Sequence, residues 1–153
     1  MKIPYFKQET IWTCGPAVVR SALAYFGIKK SERQLVKELN TNKIIGTRNK
    51  AITSLIEKYK LNYIVERNKF NPSKLKKLYE EGHVILIDYH HVADDKGHFA
   101  IIEKIDDKRI ALMDPWEGPG QVHSINKFKK IWYDDEGNRF WYIAISRPPK
   151  SQR

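Results

Sequence analysis

Apolar positions in the first half of the chain recur at helical spacing. From Cys14 to Tyr25 they fall at Ala17, Val18, Ala22 and Tyr25, with Gly27 as a stop signal. Ser31-Glu32-Arg33-Gln34 has the form of a capping box ahead of Leu35, Val36 and Leu39. A third amphipathic run, Ala51, Ile52, Leu55, Ile56 and Tyr59, follows Gly46-Thr47. Asn71-Pro72 reads as a cap with proline at the first helical position, before Leu75 and Leu78. The second half changes period. Residues 84–87 form a continuous apolar run, as in a buried strand. Residues 98–105 and 109–113 flank Asp106-Asp107-Lys108, which predicts a hairpin. Residues 124–132 predict one short helix and 140–145 a last strand. Helices followed by a mostly antiparallel sheet define an α+β domain.

The length, 153 residues, suits one domain whose core needs no disulfide or structural metal. The expected division is a domain over 1–147 and a frayed tail over 148–153, where Arg147-Pro148-Pro149-Lys150 begins it. A hydrophobic share of 41% with 30% charged residues is a globular composition. No apolar run is long enough to span a bilayer, and Met1-Lys2-Ile3-Pro4-Tyr5 lacks a signal-peptide core, so a cytoplasmic location is the default expectation. The single cysteine excludes an internal disulfide and a cysteine-based zinc knuckle. Net charge is +10, and residues 29–80 hold fourteen Lys or Arg against five Glu. That excess is either a solvated helical surface or a surface for an acidic partner. No nucleic-acid-binding motif accompanies it.

Three local signals carry candidate chemistry. The first is Gln8-Glu9-Thr10-Ile11-Trp12-Thr13-Cys14-Gly15-Pro16-Ala17. A cysteine in the first turn of a helix sits at the positive end of the dipole, which favours the nucleophilic thiolate. Pro16 suits a first turn, Gly15 leaves room for a substrate backbone, and the Gln8 amide is placed to join the Cys14 N–H in an oxyanion hole. The second is Gly97-His98-Phe99, a histidine opening an apolar strand, where a rigid element can hold a general base. The third is Met113-Asp114-Pro115-Trp116 at the end of the next strand. A hairpin would bring Asp114 beside His98, giving nucleophile, base and orienter.

With these signals in this order, the chain resembles the bacteriocin-processing, double-glycine-leader cysteine peptidases and their stand-alone relatives, of the papain-like superfamily. The likeness runs from Gln8 to about Phe140, through Gln…Cys-Gly-Pro-Ala, Gly46-Thr47, Gly-His-Phe and the Asp-Pro-Trp-x-Gly turn ending at Gly118. It implies a papain-like fold and a cysteine peptidase without cofactor or metal. It also implies Gln8 as oxyanion donor, Cys14 as nucleophile, His98 as base and Asp114 as orienter. The substrate would be a peptide or protein cut after small residues. Thr13 stands where many members have Asp, and is expected to cap the helix instead. The membrane spans and ATPase of transporter-linked members do not occur in this sequence.

Competing readings stay open at the level of sequence. A lone cysteine is more often a small buried apolar residue than a nucleophile. His90 and His91, near Asp88, Asp94 and Asp95, read as a solvated loop flanking the cleft rather than a metal site. His83 and His123 have no evident partner, and Trp12 and Trp116 divide evenly between core and cleft wall. Asn138 is a reserve orienter should Asp114 point away. A peptide-binding pseudoenzyme, or a thiol-dependent acyltransferase or amidase of the same fold, are the alternatives to a peptidase.

Overall fold

The structure, a computed structural model, describes residues 1–150. Its elements run α1 (Cys14–Tyr25), α2 (Glu32–Glu38), α3 (Asn49–Lys58), β1 (Asn62–Glu66), α4 (Pro72–Glu80), β2 (Val84–His91), β3 (Lys96–Ile105), β4 (Arg109–Asp114), β5 (Gly118–Ser124), α5 (Ile125–Ile131) and β6 (Tyr142–Ser146). The strands pair antiparallel throughout, in the order β1-β6-β2-β3-β4-β5.

The apolar run at the start of β2 has a direct structural cause. Side chains alternate across a strand, and both faces of this sheet are covered by helices. Val84 and Leu86 pack with Val19, Leu35 and Ile52 of α1, α2 and α3. Ile85 and Ile87 pack with Leu75 and Leu78 of α4 and with Phe128 of α5. The result is a three-layer α+β domain. Ser31 and Gln34 form the reciprocal capping box on α2, and the Asn71 side chain accepts from Lys74 N ahead of Pro72 on α4. Gly27, at φ +82°, closes α1 in a conformation that favours glycine.

Two strands were not legible. β1 lies in the half that reads helical; it is a short edge strand paired only with β6, with little alternation to reveal it. β5 is Gly-Pro-Gly-Gln-Val-His-Ser, a composition poor in strand formers that pairing with β4 holds extended. His90 and His91 end β2 rather than lying in a loop: His90 pairs with Gly97 and His91 with Lys96. His83 has a partner after all, its Nδ1 lying 3.0 Å from the Leu78 carbonyl at the end of α4. Of the tail expected over 148–153, residues 151–153 lie outside the described residues; just before it, the Arg147 guanidinium sits 5.7 Å from the centre of the Phe26 ring.

The start of α1 is fixed by a close approach. A Cβ added to Gly15 would lie 2.3 Å from Thr47 Oγ1 and 2.6 Å from Thr47 Cβ. Thr47 is itself held by a 2.7 Å hydrogen bond between its hydroxyl and that of Thr41. The space at Gly15 is therefore filled by Thr47, not reserved for substrate as the sequence suggested. Gly15→Ala drives a methyl group into this clamp, so it should destabilise the fold by about 1–3 kcal/mol and displace Cys14. Urea unfolding reads the first effect. Thr47→Ala on the Gly15→Ala background should restore part of the loss.

Candidate active site

Cys14 is the first residue of α1 and is half-buried. Thr13 precedes it as N-cap residue but makes no side-chain cap. Its hydroxyl is turned back instead, accepting from Thr10 N at 3.0 Å and donating to the Thr10 carbonyl at 3.1 Å. The expected threonine cap is thus replaced by a tight turn over residues 10–13. Pro16 has no N–H, and the first backbone bond of the helix is Ala17 N to Thr13 O. The Cys14 and Gly15 N–H groups therefore meet no protein acceptor among the described residues. They remain as donors at a helix N-terminus.

His98 and Asp114 meet as the hairpin requires. His98 Nε2 lies 2.9 Å from Asp114 Oδ2, and the two residues are 5% and 1% exposed. Asp114 accepts three further hydrogen bonds: from the Tyr89 hydroxyl at 2.8 Å to Oδ2, and from Trp116 N and Glu117 N at 2.8 and 2.9 Å to Oδ1. Tyr89 is the register partner of His98 across β2 and β3, and its ring stands edge-on to the imidazole at 5.6 Å. The His91 ring packs against the His98 imidazole at 4.8 Å. Asn138 is not needed as orienter; its side chain donates to Asp134.

Burial alone would raise the Asp114 carboxyl, but the hydrogen bond from His98, its charge and the two backbone donors hold it well below the usual range. Burial alone would lower His98. Hydrogen bonding and charge from Asp114 and from Cys14 outweigh it and raise the imidazole to about 10. The protonated ring and the carboxylate stabilise one another, and the Cys14 thiol lies close enough to contribute.

Gln8 is 4% exposed, its N–H donates to the Pro115 carbonyl at 2.8 Å, and its Nε2 donates to the Thr10 carbonyl at 2.7 Å. One amide hydrogen is thereby used and the second is left; Oε1 is buried without a partner. The N-terminal segment is thus tied to the turn that follows Asp114, and the Tyr5 hydroxyl reaches the same carbonyl at 3.4 Å.

Cys14 and His98 share a cleft of about 340 Å³, a size suited to a peptide segment or small ligand. One wall is the segment over residues 43–48; the other comes from β2, β3 and the turn at Asp135 and Glu136. Ile11, Ile44 and Ile45 line it while largely exposed. Trp12 lines the cleft, whereas Trp116 is exposed beneath the Lys7 ammonium at 5.2 Å. Glu136 Oε2 accepts from Asn49 N at 2.8 Å, capping α3, and Asp135 Oδ2 accepts from Gly97 N at 2.7 Å. This turn fastens both walls. His90 lies 3.1 Å from Asp95 and stacks on Tyr133, and His123 packs on Phe128; neither lines this cleft.

Sequence reasoning missed Tyr89 and read Asp88 only as a neighbour of His90 and His91. The available signal was a polar pair continuing a fully apolar strand. A thiol and an imidazole bound to a carboxylate in one cleft, with the unpartnered N–H of Cys14 at a helix N-terminus, are parts that nucleophilic catalysis at a carbonyl needs.

Residues 2–135 match the peptidase C39 family. Three solved structures share the fold at 15–20% identity. A double glycine motif protease from an AMS/PCAT transporter, in complex with the leader peptide, is 20% identical, with TM-score 0.72 over 96% of this chain and 93% of that one. The peptidase domain of Streptococcus ComA, a bi-functional ABC transporter involved in a quorum-sensing pathway, is 16% identical, with TM-score 0.74 over 96% and 100%. A C39-like peptidase from Bacillus anthracis is 15% identical, with TM-score 0.78 over 97% and 96%. No curated protein matches the sequence significantly.

The two pKa shifts give stability a definite pH dependence. A raised His98 contributes stability that is fully present below the unfolded histidine value of about 6.5 and is lost as pH rises toward 10. The lowered Asp114 contributes stability above the unfolded value of about 3.9 and loses it as pH falls further. Urea midpoints should therefore decline between neutral pH and pH 10, and Asp114→Asn should flatten that decline.

Proposed function

The chain belongs to the peptidase C39 family and is a cysteine-type peptidase, and from that premise we propose that Cys14, His98 and Asp114 form its catalytic triad. The observation that carries this reading is the 2.9 Å His98–Asp114 contact opening onto the cleft that holds Cys14 at a helix N-terminus. In the mechanism this supports, the Cys14 proton passes to His98 and leaves the sulfur as the nucleophile. The thiolate attacks the scissile carbonyl carbon. Negative charge moves to the carbonyl oxygen, met by the Cys14 N–H and the remaining Gln8 amide hydrogen. His98 gives its proton to the leaving amine, and the acyl-enzyme forms. Water, deprotonated by His98, then attacks the thioester and releases Cys14.

The substrate on this reading is a peptide with small residues, glycine foremost, before the cut bond. It rests on the family and on the neighbour whose structure holds a leader peptide. No described helix is long and apolar enough to cross a membrane, and a cytoplasmic site of action is part of the proposal. The domain would span residues 1–147. The basic excess over residues 29–80 would draw acidic segments of the peptide. Raising ionic strength should then increase KM with little change in kcat.

Labelling with a peptidyl electrophile, with mapping of the modified residue, tests the nucleophile. Cys14 should carry the label, and Cys14→Ala should abolish peptide hydrolysis. Gln8→Ala should lower turnover by about 10²–10³, or roughly 3–4 kcal/mol, with labelling by iodoacetamide near wild type. Hydrolysis within about threefold of wild type, under roughly 0.7 kcal/mol, removes Gln8 from the oxyanion hole. A labelled Cys14 that transfers acyl groups to amines faster than to water would replace the peptidase by a transferase.

A further inference from the structure

Asp88 is an anomaly in the core strand. It follows Leu86 in alternation, and Leu86 packs in the core beneath α1, as does Phe99, the register partner of Asp88 on β3. Asp88 is 5% exposed, its Oδ1 is buried without a hydrogen-bond partner, and neither oxygen is bonded or ion-paired among the described residues. Leaving a buried carboxyl unpaired is costly. An apolar residue would avoid that cost, and Asn would avoid the part of it due to charge.

The side chain lines the cleft that contains Cys14 and His98. Asp135 and Glu136 line it too; one oxygen of each accepts a backbone N–H, from Gly97 and Asn49 respectively, and the other is free. Gly97 makes the convergence possible. A Cβ there would lie 3.1 Å from Asp88 Oδ1 and 3.0 Å from Asp135 Oδ2. Two carboxylates from separate elements thus meet about one point, with no cation of the chain within ion-pair distance of either. Lys43, Arg48 and Lys96 also line the cleft but pair with none of these acids. Burial, then the charges of Asp134, Cys14, Glu136 and Asp135, push the Asp88 carboxyl well above the usual carboxylate range, as expected of an acid lacking its counter-ion. The described residues hold no group of three or more side chains arranged to bind a metal ion.

We propose that Asp88, with Asp135 and Glu136, forms a subsite for an organic cation on the substrate peptide close to the scissile bond: a lysine ammonium, an arginine guanidinium or a free α-ammonium. The inference rests on the peptidase reading and adds a charge requirement to it. The cation supplies the partner that Asp88 lacks, and the site lies beside the reacting groups, so the preference is read next to the cut bond. Lys43 and Arg48 of the basic segment line the same cleft but form no ion pair with these acids.

The probe is a set of N-acetylated, C-amidated decapeptides with a central Gly-Gly, in which one lysine, or norleucine as its uncharged match, moves through the remaining positions. A second set carries a free α-amine. Two readouts are taken: kcat/KM for the wild type, and Kd for Cys14→Ala by calorimetry. Lysine should be favoured over norleucine by about tenfold or more at one position, which is about 1.4 kcal/mol. Asp88→Asn and Asp135→Asn should each bring that ratio close to one. A preference confined to the free-amine set would assign the site to the α-ammonium.

Asp88→Asn removes an unpaired buried acid, so its melting temperature should equal or exceed that of the wild type. Were it to fall, Asp135→Asn, which keeps an acceptor for Gly97 N, decides the assignment. Equal lysine and norleucine values at every position in both readouts overturn the proposal. So does a lysine preference that survives both substitutions. Lysine-selective binding by Cys14→Ala without hydrolysis by the wild type would keep the subsite and retire the peptidase reading.

Discussion

The Asp114 carboxylate is the constraint around which the site is organised. An ionised carboxyl that is 1% exposed is tolerable only with its lone pairs occupied. Here four donors occupy them: Tyr89 from β2, His98 from β3, and the two N–H groups of the turn after β4. Each donor comes from an element fixed by the sheet ladder, so the imidazole is positioned by the same hydrogen bonds that make the buried charge affordable. The carbonyl of the next residue, Pro115, accepts from Gln8 N, so the turn also anchors the segment leading to Cys14.

Cys14 reaches the same cleft from the opposite layer. α1 packs on the sheet through Val18, Val19, Ala22 and Leu23. Its first turn is set by Gly15 against Thr47 rather than by a side-chain cap. Leaving that N-terminus uncapped keeps the Cys14 and Gly15 N–H groups without protein partners among the described residues, and Cys14 lines the cleft. On the proposed mechanism a side-chain cap would compete for donors at this terminus, the Cys14 N–H among them. Asp135 and Glu136 add the second fastening, joining β3 just before His98 to the start of α3.

The charges of the cleft stay unpaired with one another. Lys43 and Arg48 stand on one wall, Asp88, Asp135 and Lys96 on the other, and none of these cations pairs with either acid. Exposed isoleucines at the mouth add apolar area. A peptide crossing such a cleft meets reacting groups, apolar contacts and a buried acid within a few residues. This suits recognition of an extended chain better than a freely diffusing small amide.

The sequence by itself determined the helices, the central strands and the candidate site positions. Period, caps and turn residues act over a few neighbours, so Gly27, the Ser31–Gln34 box, Asn71-Pro72 and the apolar run at residues 84–87 announce themselves locally. Cys14, His98 and Asp114 stand out because each sits at or near an element end in a recognisable motif, and Gln8 because it precedes the cysteine in the same motif. Only the tertiary structure decided the rest. β5 is a strand because β4 holds it extended, which its weak local propensity does not reveal, and β1, though it carries Tyr63, Ile64 and Val65, is a short edge strand set among helices with little alternation to mark it. Thr13 turns away from the helix because Thr10 offers nearer partners, and Gly15 is filled by a residue thirty-two positions later. Tyr89 and Asp88 acquire meaning only through cross-strand register and burial. Those are properties of the folded sheet, and no window of sequence contains them.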